Sequence, residues 1–205
     1  MSKSRRLTSD HPTREKILRA TKELLWERGF EAMSPRDVMD RSGAGQGSLY
    51  HHFSGKHDLA CAALAEMAAE EQAAMADIFN PRKPPLARIA DYLTRERDAL
   101  RGCRLARLAN EAAMADADFR LSIAAYLDEI ERHLAKALAE AQVSGVIAAD
   151  ADAKALAAML LAVVEGGFVL ARVHWDAGRM RQALAGAAHM IERLRAANTP
   201  SPNTP

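Results

Sequence analysis

The chain has 205 residues, 49% of them hydrophobic and 27% charged, with a formal net charge of +1. That length allows one or two domains with a substantial core; the hydrophobic share excludes general disorder, and the charged share excludes an integral membrane chain. Aromatic residues make up only 5%, alanine is abundant and β-branched residues are sparse, so the composition predicts an all-α protein.

Residues 1–10 form a polar tail containing Lys3, Arg5 and Arg6. It reads either as a disordered terminus or as an arm for phosphate or the minor groove. A first helix is predicted from about Pro12 to Arg28, stopping at Gly29, with Ile17, Leu18, Thr21, Leu24 and Leu25 on its buried face. Trp26 and Phe30 are expected to pack against the two short helices that follow.

Those two helices carry the most information. Ser34, Pro35 and Asp37 make a capping box with proline at the first helical position, and Met33 and Val38 sit where a hydrophobic staple would place them. The first short helix stops at Gly43, with Gly45 close behind to permit positive φ. The second runs from Gln46 to Phe53. Two short helices joined by a glycine-containing turn form the helix-turn-helix pattern. Helical stepping turns Leu49 and Phe53 toward the core, with His52 at the edge and Gly47, Ser48, Tyr50 and His51 outward. That outer face has no bulky aliphatic residue, so it can approach a DNA groove closely and offer polar groups to phosphates and base edges. Lys56 opens the next helix, where a phosphate would give its cation a partner. Charge follows the same division: residues 1–60 hold 11 Lys+Arg against 8 Asp+Glu, a balance of +3, leaving 17 against 19, or −2, for the rest.

The run Gly29-Phe30, Ser34-Pro35-Arg36 and Gly47-Ser48-Leu49-Tyr50-His51-His52-Phe53, followed by Lys56, resembles the TetR family of bacterial transcriptional regulators over roughly residues 13–60. The resemblance implies an N-terminal three-helix helix-turn-helix DNA-binding domain and a C-terminal helical ligand-binding and dimerisation domain, about nine helices in all. It implies a DNA-facing set of Arg36, Gln46, Gly47, Ser48, Tyr50, His51, His52 and Lys56. Gly45 departs from the family pattern, which usually has a polar residue capping the recognition helix. The domains are expected at 11–71, with the motif at 34–53, and at 72–197, followed by a disordered tail at 198–205.

Beyond the motif, a helix is predicted from about Gly55 to Phe79, joining the two domains, and Asn80-Pro81-Arg82-Lys83-Pro84-Pro85 breaks it. Further helices are expected at about 86–100, 104–114, 119–143 (capped by the Asp116-Ala117-Asp118 step), from Asp150 or Asp152 to Trp175, and 180–196. The segment Ala155–Ala171 is short, alanine-rich and interrupted by Glu165, which fits a helix buried on more than one side better than a membrane span. In the family the last two long helices pair with their two-fold mates, and the small residues Ala157, Ala158, Ala162, Gly166 and Gly167 would allow close packing in a homodimer.

Cys61 and Cys103 lack metal-ligand spacing, and the adjacent His51 and His52 diverge by about 100° on a helix, so neither a metal nor another cofactor is expected. No nucleophile-base arrangement suggests an enzyme. The absence of an apolar leader points to a cytoplasmic protein with no membrane partner. Cys103, flanked by Arg101 and Arg104, is either a small buried residue or a reactive thiol. Glu165 is expected to pair with Arg172 or to recognise a ligand; Cys103, Tyr126, Phe168 and His174 complete the candidate pocket. The sequence reading is a ligand-responsive repressor, released from a palindromic double-stranded operator by a small-molecule effector. The alternative is a constitutive or a redox- or electrophile-sensing DNA-binding regulator using Cys103.

Overall fold

The computed structural model describes the backbone of residues 4–197 and the side chains of 12–194. Among the described residues there is no strand. Eight α-helices follow in order: α1 (Ser4–Ala32), α2 (Pro35–Ser42), α3 (Gln46–His52), α4 (Lys56–Ile78), α5 (Pro85–Thr94), α6 (Ala117–Val143), α7 (Ala153–His174) and α8 (Ala177–Ala197). Two short 3-10 helices, Ala106–Asn110 and Ala112–Ala115, lie between α5 and α6. α1 begins well before Pro12, which lies inside it. The basic tail's Lys3 and the side chains of Arg5 and Arg6 fall outside the described residues, as does the expected tail at 198–205.

The chain divides into two compact units. The first holds the residues up to Glu71 together with Arg104–Ala124; the second holds Gln72–Cys103 and everything from Ala125 onward. α4 and α6 each contribute to both. The return of 104–124 to the first unit was not visible in any periodicity.

In the first unit Ile17, Leu18, Leu24 and Leu25 are fully buried on one face of α1, joined by Met33, Val38, Leu49, Phe53 and Leu59. Thr21 is also buried, and its hydroxyl donates to the Ile17 carbonyl at 2.8 Å, so no polar atom is stranded there. Each such aliphatic side chain contributes about 1.5–3 kcal/mol by leaving water, and Leu24→Ala would cost about 2–5 kcal/mol. α1 breaks at Gly29, whose φ of +85° and ψ of 178° leave the helical region. The Trp26 ring lies under the Arg104 guanidinium at 5.5 Å, and Phe30 packs on Phe119 with ring centres 4.7 Å apart.

Two predicted helices differ. The helix expected to reach Leu100 stops at Thr94, because the Arg97 guanidinium turns back onto the carbonyls of Tyr92, Leu93 and Arg95 and satisfies the end of α5. The helix expected at 104–114 is two 3-10 turns instead. Glu111 between them is extended, at φ −93° and ψ 151°, and its carboxylate accepts the N–H groups of Phe30 and Glu31.

In the second unit, Arg88 on α5 is buried and fully engaged, donating to the Lys83 and Pro81 carbonyls and pairing with Glu140 at 2.6 Å. Of the two acids proposed as cap, Asp152 performs the role, accepting from the N–H groups of Lys154 and Ala155 at 3.0 Å. α7 buries Ala157, Leu160, Val164, Gly167 and Ala171 as one stripe, packed on α8. Within this chain the opposite side of α7 is exposed rather than buried. α7 is the one helix among the described residues long and apolar enough to cross a membrane, and it buries one stripe against α8.

Candidate nucleic-acid interface

The helix-turn-helix is fixed by short-range chemistry. The Ser34 hydroxyl accepts the Asp37 N–H, and the Asp37 carboxylate accepts the Ser34 N–H at 2.8 Å, so both halves of the capping box are made. The Ser34 hydroxyl also donates to the Asp37 carboxylate, and this bond, ahead of the backbone one, holds the Asp37 carboxyl below its ordinary range. Met33 and Val38 are fully buried, as a staple requires. Arg28 pairs with Asp37 at 3.2 Å and Arg41 with Glu27 at 2.7 Å, tying α2 to α1. Gly43 ends α2 at φ +70°, but Gly45 does not share the positive φ: it caps α3 in an extended conformation, with no side-chain bond.

α3 turns Leu49 fully inward, and Phe53 follows it into the core. Gln46, Gly47, Tyr50 and His51 are exposed, while Ser48 and His52 are half-buried at the margin. This is the polarity that the stepping argument gives. Arg36 projects from the first turn of α2 with its side chain 87% exposed, held only by a 3.9 Å approach to Asp40. Lys56 behaves differently. Its ammonium donates to the Glu31 carbonyl at 3.2 Å and lies 4.4 Å from the centre of the Phe30 ring, folded onto the end of α1. α4 starts at Lys56, within a residue of the expected Gly55, and the sequence reading does not name Asp58, which accepts there from the backbone and hydroxyl of Ser54.

A slim, hydroxyl-bearing helix held on a capped partner is geometry able to enter a groove. A family model described as bacterial regulatory proteins, tetR family, matches residues 17–63, the stretch that builds this motif. A second, described as transcriptional regulator LmrA/YxaF-like, C-terminal domain, matches residues 85–185. The chain belongs to the TetR family. This TetR-family regulator is 28% identical over 167 residues to the transcriptional regulator AcuR of Cereibacter sphaeroides, covering 78% of the chain and 76% of that relative. A TetR-family transcriptional regulator from Agrobacterium tumefaciens shares the fold with a TM-score of 0.80 at 23% identity, covering 91% of this chain and 99% of that one. So does the TetR-family regulator CifR, solved as a cysteine mutant complexed with 26bp double-strand operator DNA, with a TM-score of 0.72 at 22% identity over 84% of this chain and 94% of that one. The family and these relatives are transcriptional regulators, not enzymes.

The regulator's second unit brings some of the proposed pocket residues together and separates others. Cys103 and Tyr126 are buried, and Glu165 accepts a hydrogen bond from the Cys103 thiol. Burial pushes the Glu165 carboxyl up, against the pull of that bond and of Arg97. Arg97 and Tyr92, neither of them singled out from sequence, join this cluster; burial raises the Tyr92 phenol to about 12. Phe168 is half-buried, whereas Arg172 and His174 face solvent, so the cation near Glu165 is Arg97 rather than Arg172. The Arg104 guanidinium pairs with Glu70 at 3.0 Å. A cleft of 490 Å³ opens between residues 93–99 and the first half of α8, lined by Leu93, Arg97, Ala99, Met180, Leu184 and Ala188 among others. None of the six sequence candidates lines it.

Proposed function

We propose that this regulator is a homodimeric repressor that binds a near-palindromic operator through α3 and is released by a small molecule held in the second unit. The observation that carries the proposal is the surface of α3, where the only large exposed hydrophobic side chain is Tyr50 and the core side is closed by Leu49. Arg36, Gln46, Gly47, Ser48, Tyr50, His51 and His52 are its DNA-facing residues, with Arg36 the candidate for reading guanine, the commonest specific contact. Lys56 contributes a cation at the edge of this surface. The operator-bound CifR complex supports double-stranded DNA as the partner.

Dimerisation is supported by α7 and α8. Val169, Leu170, Val173 and Met190 on these helices, and Trp175 at the turn between them, are large apolar residues left exposed, and such a patch on one chain marks an interaction face. Of the small residues on α7, Ala157 and Gly167 are buried within the chain, while Ala158, Ala162 and Gly166 lie open for a second copy. The recognition helices of the dimer then sit about 34–36 Å apart, one DNA turn. The 490 Å³ cleft is of a size that holds a small effector. That effector releases DNA only through its different affinity for the two dimer shapes, and α4, continuous from the first unit into the second, carries the difference. Domain roles follow: DNA binding in the first unit, effector binding and dimerisation in the second, in the cytoplasm. The test is fluorescence anisotropy with duplex DNA flanking the regulator's own gene, with light scattering for mass. A monomer, or a dimer that prefers no duplex over random DNA at low salt, sinks the reading.

A further inference from the structure

The first turns of α4 present an imidazole and a thiol on one side: His57 and Cys61 stand four residues apart, one helical turn. The chain returns to this point 55 residues later with two carboxylates at the start of α6. Asp116 is oriented by its own Oδ1, which accepts the Asp118 N–H at 2.8 Å and turns Oδ2 toward His57. His57 Nε2 lies 3.0 Å from Asp116 Oδ2, 3.9 Å from Asp118 Oδ2 and 3.9 Å from Cys61 Sγ. One ligand atom each from His57, Cys61 and Asp118 lies within 4.8 Å of the others.

Tetrahedral zinc bonds its ligands at about 2.0–2.3 Å, which sets neighbouring ligand atoms roughly 3.3–3.6 Å apart. The three His57 distances depart from that by a few tenths of an ångström on either side, and Cys61 and Asp118 lie within 4.8 Å of each other, so they must close by up to about 1 Å. Rotation of side chains that are half-buried or exposed closes such gaps. The donor set also selects the ion. Magnesium and calcium favour oxygen ligands alone, whereas one sulfur, one imidazole nitrogen and carboxylate oxygens suit zinc.

We propose that His57, Cys61 and Asp118 form a zinc(II) site, with solvent in the fourth position and Asp116 at its edge. Cys61 coordinates as the thiolate and its proton leaves to solvent. His57 stays neutral: its Nε2 gives up the hydrogen bond to Asp116, the ring carries its proton on Nδ1, and the Nε2 lone pair meets the metal. Zinc then joins α4 to the first turn of α6. Phe119, whose ring touches both His57 at 5.0 Å and Phe30 at 4.7 Å, lies directly behind that joint. The inference stands apart from any reading of operator or effector.

The test uses the full chain, stripped with a chelator and titrated with cobalt(II), then zinc. One cobalt per chain should bind with a thiolate-to-cobalt charge-transfer band in the near ultraviolet and the intense visible bands of a tetrahedral centre, displaced by zinc. Cys61→Ser should abolish the charge-transfer band. Asp118→Asn, at an exposed position the fold tolerates, should weaken binding by more than about 10-fold, the lower end of what losing even an outer-shell partner costs. Cys103→Ser should change nothing. Zinc should raise the unfolding temperature of the wild type but not of Cys61→Ser. A wild type without the charge-transfer band, or a band that survives Cys61→Ser, overturns the proposal and leaves the cluster a hydrogen-bonded His57–Asp116 pair.

Discussion

The carboxylate of Glu111 occupies the space that a side chain at Gly29 would need. It sits there to receive the N–H groups of Phe30, at 3.3 Å, and Glu31, at 2.9 Å, which the break in α1 leaves without helical partners. Glu31 returns the favour by accepting the Ala112 N–H at 2.7 Å. The entrance to the helix-turn-helix is therefore latched to a segment some 80 residues further on.

Gly29→Ala should destabilise the protein by two routes. The backbone at φ +85° and ψ 178° is one that only glycine adopts without a strain of about 1–3 kcal/mol, and the new methyl collides with Glu111. Glu111→Ala removes the collision but strands two N–H groups. The double variant should lose less than the sum of the singles in urea unfolding. Strictly additive losses would show that the two positions do not interact.

Acid should loosen the helix-turn-helix through Asp37. Its folded carboxyl is held below its ordinary value of 3.8 by bonds to Ser34, then by Arg28. A depressed acid contributes stability that is present above its unfolded pKa and lost as pH falls through the folded one. The acid limb of a stability profile between about pH 2.5 and 7 should flatten in Asp37→Asn. Ser34→Ala should cost about 1 kcal/mol at neutral pH through the lost cap. An unchanged acid limb in Asp37→Asn would assign it to other carboxylates, Asp116 among them.

Glu165 has the opposite sign. Burial raises its folded carboxyl above 4.5, so its relative contribution is full below that unfolded value and lost as pH rises through the folded one. Glu165→Gln keeps an acceptor for the Cys103 thiol and removes the charge. It should raise the melting temperature at pH 7 and converge on wild type under acid. A lower melting temperature at pH 7 would mean that the carboxylate's attraction to Arg97 outweighs its burial.

Cys103 lies against a carboxylate, an environment that does not favour a thiolate. Cys103→Ser should therefore leave effector-driven DNA release intact, measured by anisotropy with oxidants and electrophiles in the panel. Loss of an oxidant response in this variant alone would restore the sensor reading.

Arg36 and Lys56 should separate in a DNA-binding assay. Arg36 is exposed and structurally idle, so Arg36→Ala should leave unfolding unchanged and cost about 1–3 kcal/mol on the operator, with relaxed sequence preference. Lys56 holds the Glu31 carbonyl, so Lys56→Ala should lower stability and also flatten the salt dependence by about one unit of slope. Equal loss on operator and random DNA for Arg36→Ala would make it a backbone contact.

The sequence alone determined what depends on neighbours a few residues away. The Ser34–Asp37 box, the turn at Gly43 and the inward Leu49 with outward Tyr50 and His51 follow from spacing and helical period, and they carry the family's motif. Only the tertiary structure decided what required distant partners. Arg97 stops α5 early by reaching back to carbonyls, Glu111 unwinds a predicted helix to serve α1, and Lys56 folds onto Phe30. The same holds for His57 and Cys61, whose carboxylate neighbours arrive from 55 residues away and leave no spacing that a search between the two cysteines could find. Local bonds are written in sequence order because the chain is short between them; long-range ones depend on which buried groups need a partner once the helices have packed.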